Sequence, residues 1–165
     1  MNPLSDDADR PDGFQRVARA LRELGHANAP LWLDVAARTS QEAADALGIA
    51  VGQIAKSVIF RRRSDDRAVL VIASGDRRVD EKKVGAVTGE LGRADAQFVR
   101  LATGFVIGGV APVAHATAPV TLIDRDLFRF GEIWAAAGHP NGVFKLTPQD
   151  LERYTGAPVA DVVVA

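Results

Sequence analysis

A lysine, a glycine pair and a histidine-bearing turn are the parts of this 165-residue chain whose types and settings can do chemistry. Lys56 follows Gln53-Ile54-Ala55 and precedes Ser57-Val58-Ile59-Phe60, so it stands where a β-branched and aromatic strand opens. A lysine there either snorkels its ammonium to solvent or serves a site. Gly108-Gly109-Val110-Ala111-Pro112 is either a sharp corner between strands or a loop whose N–H groups reach a carbonyl or oxyanion with no side chain in the way. In Gly138-His139-Pro140-Asn141-Gly142, His139 and Asn141 can offer an imidazole and an amide to a substrate, and the same residues suit a plain hairpin turn. His115, three residues beyond Pro112, either bonds the loop backbone or touches a ligand directly.

Other chemistries lack their residues. The chain has no Gly-x-Ser-x-Gly elbow, no His-Glu-x-x-His pair and no P-loop, and His26, His115 and His139 lie too far apart in sequence for metal-type spacing. With no cysteine there is no disulfide, thiolate zinc site or thiol nucleophile. The glycines from Gly104 to Gly109 are not followed by a helix pattern, and Pro112 would interrupt one, which sets a dinucleotide loop aside. Neither a metal nor a cofactor is expected. Arg61-Arg62-Arg63, Arg77-Arg78 and Lys82-Lys83 read as a solvated face or as phosphate contacts. Trp32 and Trp134 are expected in the core, and His26 on the surface.

The elements that must position these residues follow from periodicity and punctuation. Phe14, Val17, Ala18, Leu21 and Leu24 mark an amphipathic helix stopped by Gly25. Thr39 with Glu42 is a capping box for a helix ending at Gly48. Asp80 caps a short helix to about Val87, Asp95 to Leu101 can form a turn of helix, and Thr147-Pro148 starts a helix that Gly156 ends. Strands are expected at 31–35, from Lys56 to Arg61, at 68–73, 104–109, 120–123, 132–136, 143–146 and 159–164. The Lys56 strand and the uniformly apolar 68–73 run form a central hairpin, the second strand covered on both faces. About seven strands with four short helices and no regular βαβ rhythm give an α+β fold, a single mixed domain with a curled, largely antiparallel sheet.

Composition sets the frame. A hydrophobic fraction of 47%, a charged fraction of 25% and a net charge of −1 are those of an ordinary globular protein with no global pull toward nucleic acid. Residues 1–13 are polar and acidic, and are expected to be a tail preceding one domain over 14–165. No run approaches the roughly 20 apolar residues of a membrane span, so a cytoplasmic protein without a membrane partner is expected.

The three motifs in this order, 53–60, 104–112 and 137–146, resemble the YbaK/ProX family of aminoacyl-tRNA deacylases, related to the editing domain of bacterial prolyl-tRNA synthetases. The resemblance runs from about Phe14 to the C-terminus and implies a barrel-like α+β domain. It implies hydrolysis of the ester between a mischarged amino acid and the 3′-terminal adenosine of tRNA, without covalent nucleophile, metal or cofactor. Lys56 becomes the essential lysine, and Gly108 and Gly109 the backbone holding the aminoacyl carbonyl or terminal ribose. Pro112, His115, His139 and Asn141 become candidates for substrate binding. The implied partners are the acceptor end of aminoacyl-tRNA and an aminoacyl-tRNA synthetase. The family loop often reads Gly-Gly-x-Pro-Pro followed by an aromatic, and here Ala111, Val113 and Ala114 depart from it. An acidic residue that some branches carry near Gly142 or Val143 is also missing. A binding module without turnover and a small acyl-ester hydrolase are the competing expectations.

Overall fold

The computed structural model describes residues 9–165. Five α-helices and eight strands occur among them: α1 Asp12–Glu23, β1 Leu31–Trp32, α2 Ser40–Leu47, β2 Ile54–Arg62, β3 Ala68–Ser74, α3 Glu81–Thr88, β4 Leu91–Gly92, α4 Ala96–Thr103, β5 Val120–Asp124, β6 Ile133–Ala136, β7 Gly142–Leu146, α5 Pro148–Thr155 and β8 Val159–Ala160. The tail expected over 1–13 lies mostly outside the described residues, and α1 begins at Asp12, inside its expected end.

Local chemistry accounts for most boundaries. The Thr39 and Thr147 capping boxes form, and Asp80 and Asp95 accept from backbone N–H groups of the first turns of α3 and α4. Gly48, Gly104 and Gly156 end α2, α4 and α5 in the left-handed conformation. That cap corrects one expectation: the chain leaves α4 through Gly104 at φ +81° into a turn closed by Gly109 N–H on Val106 O, so 104–109 is not a strand. Asp95 starts a full helix rather than a single turn. The strands expected at 31–35 and 159–164 shorten to two residues each, and an isolated Val79–Val163 bridge continues the second.

The sheet order is β1-β7-β6-β2-β3-β5-β8, with β4 paired to the far end of β2. Pairs β1–β7, β6–β7, β2–β3 and β2–β4 are antiparallel, whereas β2–β6, β3–β5 and β5–β8 are parallel. The sheet is therefore mixed, and β1 and β8 remain its edges, so it does not close into a barrel. β3 is buried along its whole length. Its alternation explains how: Leu70 and Ile72 join the main core with Phe14, Leu21, Phe144 and Leu151 of α1, β7 and α5, while Val69 and Val71 meet Val84, Leu122 and Val162 on the opposite face. A third cluster, Ala37, Ala43, Ala44 and Ile54 with Trp134, sits under α2.

Candidate active site

β2 and β6 run parallel for only two residue pairs, Ile54 with Trp134 and Ala55 with Ala135. Beyond them β6 goes on pairing with β7, through Ala136 and Val143, while β2 continues along β3. The two strands part at Lys56, and a cavity of about 110 Å³ opens there. Ala55, Lys56 and Ser57 line one bank, and Trp134, Ala135, Ala136, Gly142 and Val143 the other. Arg38, Thr39, Ser40 and Ala43 approach from the start of α2, and Gly108 and Val110 from the glycine loop. This volume lies below the roughly 300 Å³ at which drug-sized sites begin, so it suits a group the size of a small side chain.

Lys56 shares a strand face with Ile54, Val58 and Phe60. Its Nζ donates to the Arg77 carbonyl at 2.6 Å, and Lys56 also lines a second groove with Val58, Phe60, Arg77 and Glu81. Burial pushes its pKa below the ordinary lysine value, and the Asp76 charge partly offsets that. An ammonium has three N–H donors, so the Arg77 bond fixes the head and leaves two for a substrate.

The two glycines have different settings. Gly108, at φ +90°, lines the cavity wall beside Arg38. The Gly109 N–H is committed to Val106 O, and a Cβ at that position would lie 2.7 Å from the His139 Cα, so the glycine permits close packing of loop on turn. His139 and Asn141 sit behind this wall. The Asn141 N–H donates to His139 Nδ1 at 3.0 Å, and the Asn141 amide donates to Leu33 O at 2.8 Å. The His139 ring lies over Trp32 at 4.8 Å, and burial, then the Arg38 charge, push its pKa down. Together they tie segment 31–37 to the turn, with Ala37 N–H on Pro140 O.

Pro112 and His115 lie elsewhere, in a cavity of about 430 Å³ toward α1 and α5 that also includes Leu24 and Tyr154. His115 Nε2 donates to Ala111 O at 2.6 Å and its ring meets Phe105 edge-on. Burial pushes its pKa below the ordinary histidine value, which favours the neutral ring. The structure thus brings Lys56 and Gly108 together, sets Gly109, His139 and Asn141 behind them, and separates Pro112 and His115.

One expectation changes and two gain detail. His26 is no ordinary surface residue: Nδ1 pairs with the Tyr154 hydroxyl at 2.6 Å and Nε2 with Lys145 O at 2.7 Å. Trp134 belongs to the cavity wall as well as to the cluster under α2. The basic runs are largely neutralised, Arg61 by Asp66, Arg62 by Asp65, Arg63 by Glu90, Arg77 by Asp126 and Lys83 by Asp161. Arg38 and Ser57 were not singled out in the sequence. The capping box marked where α2 starts, but no local signal told that this start faces Lys56.

Among the described residues no cluster of three or more His, Asp or Glu side chains is arranged to hold a metal ion, and no helix is long and apolar enough to cross a membrane.

Comparison with known proteins gives the family of the chain. A protein named YwhH from Bacillus subtilis, uncharacterised, is 33% identical over 127 residues, covering 76% of this chain and 80% of its own. The proline–tRNA ligase of Lactobacillus acidophilus is 27% identical over 81% of this chain, which spans only 23% of that enzyme. A crystal structure of a protein proposed to be a trans-editing enzyme for prolyl tRNA synthetase superposes with a TM-score of 0.88 at 39% identity, covering 95% of this chain and all of the other. The family model for the aminoacyl-tRNA editing domain matches residues 34–154, which contain every side of the Lys56 cavity. This chain belongs to the aminoacyl-tRNA editing domain family.

Proposed function

We propose that this protein is a trans-editing hydrolase that cleaves the ester joining a mischarged amino acid to the 3′-terminal adenosine of tRNA. The observation that carries this reading is Lys56 in the wall of a small cavity, at the point where β2 and β6 part, in a chain of the editing-domain family.

The side chain of a small amino acid enters between Ala43, Ala135, Ala136 and Val143, which leaves the ester carbonyl at the mouth beside Lys56 and Gly108. A water oxygen adds to the carbonyl carbon. The carbonyl oxygen takes the negative charge, and the Lys56 donors not used by Arg77 stabilise it. The C–O bond to the ribose then breaks, the 3′-oxygen takes one proton of the attacking water, and the amino acid leaves as its carboxylate while the water's second proton passes to solvent. Because Gly109 donates to Val106, Gly108 is the glycine whose backbone meets the substrate. Arg38, at the same mouth, is the cation placed for a terminal phosphate.

Deacylation of a panel of mischarged tRNAs by the wild-type chain and by Lys56→Ala tests the proposal. Hydrolysis of tRNAs carrying small amino acids that disappears in the variant supports it, and no Lys56-dependent hydrolysis of any member overturns it. Binding of tRNA without cleavage would instead indicate a binding module, and equal turnover of free aminoacyl esters a small-ester hydrolase.

A further inference from the structure

Lys56 Nζ donates to the Arg77 carbonyl, and the turn that carries this carbonyl is held from two sides. β3 ends at Ser74, and Ser74-Gly75-Asp76-Arg77 turns back with the Arg77 N–H on Ser74 O and the Gly75 N–H on Ile54 O. Gly75 is pressed so close to the start of β2 that a Cβ would lie 2.5 Å from Val51 O. The fully buried Ser74 hydroxyl donates to Gly52 O at 2.7 Å. From the other side the 3-10 segment Arg125–Arg129 grips the same turn. Arg129 Nη2 donates to Ser74 Oγ at 3.0 Å and to Asp76 Oδ1 at 2.9 Å. Arg77 Nε donates to Asp126 Oδ2 at 3.1 Å, and its Nη1 lies 3.5 Å from Asp76 Oδ2. That segment is anchored in turn by the buried Asp124, which accepts from the Asp126 and Val162 N–H groups.

We propose that Asp76 and Arg129 are positioning residues: they lock the 74–77 turn so that the Arg77 carbonyl aims the Lys56 ammonium at the cavity mouth. The proposal rests on the hydrolase reading above, because it assigns the lysine its aim in that reaction. Asp76 has a second effect through charge. It is the carboxylate whose field opposes the desolvation of Lys56. Burial hinders its own ionisation, but the Arg129 bond and the Arg129 and Arg77 charges outweigh this and keep its pKa below the ordinary range. The charged groups around Lys56 are Asp76, Arg77 and Arg78 of the turn, Glu81 of α3, Asp126 and Arg129 of the 3-10 segment, and Arg38 across the cavity. Of these, Asp76 is the carboxylate that opposes the desolvation of Lys56, so its removal should be seen at Lys56.

The test uses the whole chain with Asp76→Asn, Arg129→Gln and the conservative Arg129→Lys, with the site lysine read directly. The chain has four lysines, Lys56, Lys82, Lys83 and Lys145, so their side-chain NMR titrations are separable. In Asp76→Asn the Lys56 titration should move to lower pH while the other three stay in place. Single-turnover deacylation should fall about ten- to a hundredfold in kcat with little change in KM. After subtraction of uncatalysed ester loss, the alkaline limb of the rate profile should also move to lower pH. Arg129→Lys should recover part of the loss that Arg129→Gln shows. In the Lys56→Ala background Asp76→Asn should cause no further loss. An unmoved Lys56 titration in Asp76→Asn, with the variant folded, overturns the proposal whatever the activity. If Asp76→Asn does not fold, Asp76→Ser, which removes the same charge, carries the same titration test. Failure of the hydrolase reading shows separately, as wild-type turnover that survives Lys56→Ala.

Discussion

At Lys56 two forces act on one ammonium. Desolvation favours the neutral amine, whereas Asp76 and the Arg77 carbonyl favour the charged form. Since the reaction needs the charged form and the pKa is lowered, activity should be full below that pKa and fall as pH rises through it, at lower pH than for an ordinary lysine. A rate profile corrected for uncatalysed hydrolysis checks this. Lys56→Ala should remove about a hundredfold or more of the rate, the scale of losing one oxyanion donor, with little change in Tm, because the lost bond is offset by relief of desolvation. A large drop in Tm would mark the lysine as structural. At Asp65 the sign is opposite. The hydrogen bond from Arg62 and the N–H of Arg67 lower its pKa from 3.8 to about 2. That favours the folded state above the unfolded value and is lost as pH falls through about 2. Arg62→Ala should return Asp65 toward ordinary aspartate in a carboxyl NMR titration, with hardly any change in Tm at neutral pH because the pair is exposed.

At the scale of elements, glycines with different surroundings give opposite outcomes. Gly109→Ala puts a methyl against the His139 backbone at 2.7 Å, and neither the loop nor the turn can give way alone. A loss of about 1–3 kcal/mol in chemical denaturation is expected, together with weaker activity because the Gly108 wall shifts. Gly85→Ala, in the interior of α3 with nothing within 4 Å of the new methyl, should instead stabilise by about 0.5–1 kcal/mol. The capping boxes of α2 and α5 and the both-face burial of β3 were legible because they depend on neighbours in sequence or on an unbroken apolar run. β4 was not, because Leu91–Gly92 reads as punctuation and is a strand only through pairing with Arg61–Arg62. Nor was the 104–109 loop: its apolar residues imitate a strand, and the Gly104 cap decides otherwise.

Across the whole molecule, the C-terminal segment completes both the second core cluster and the scaffold of the Lys56 turn. Val162 is fully buried against Val69, Val71 and Leu122, and its N–H satisfies the buried Asp124, which anchors the segment carrying Asp126 and Arg129. Removing residues 159–165 should cost about 3 kcal/mol or more, from lost valine burial and a buried carboxylate short of a donor. Deacylation should fall with it even where the chain remains folded, and denaturation curves with single-turnover rates at low temperature would separate the two effects.

The sequence by itself determined most helix starts and stops, the central hairpin and, through ordered motifs, the family; it set the opening of the Lys56 strand at Lys56, whereas β2 begins two residues earlier, at Ile54. These are local properties, fixed by caps, turn residues and alternation within a few positions. Only the tertiary structure decided what surrounds that lysine. The β2–β6 pairing joins residues about eighty positions apart and ends after two pairs, which opens the cavity. It brings Trp134 and Arg38 to the wall, turns Gly109 and His139 into packing, and moves Pro112 and His115 to another face. Contacts between distant segments follow from how the core closes, and no short window of residues carries that information.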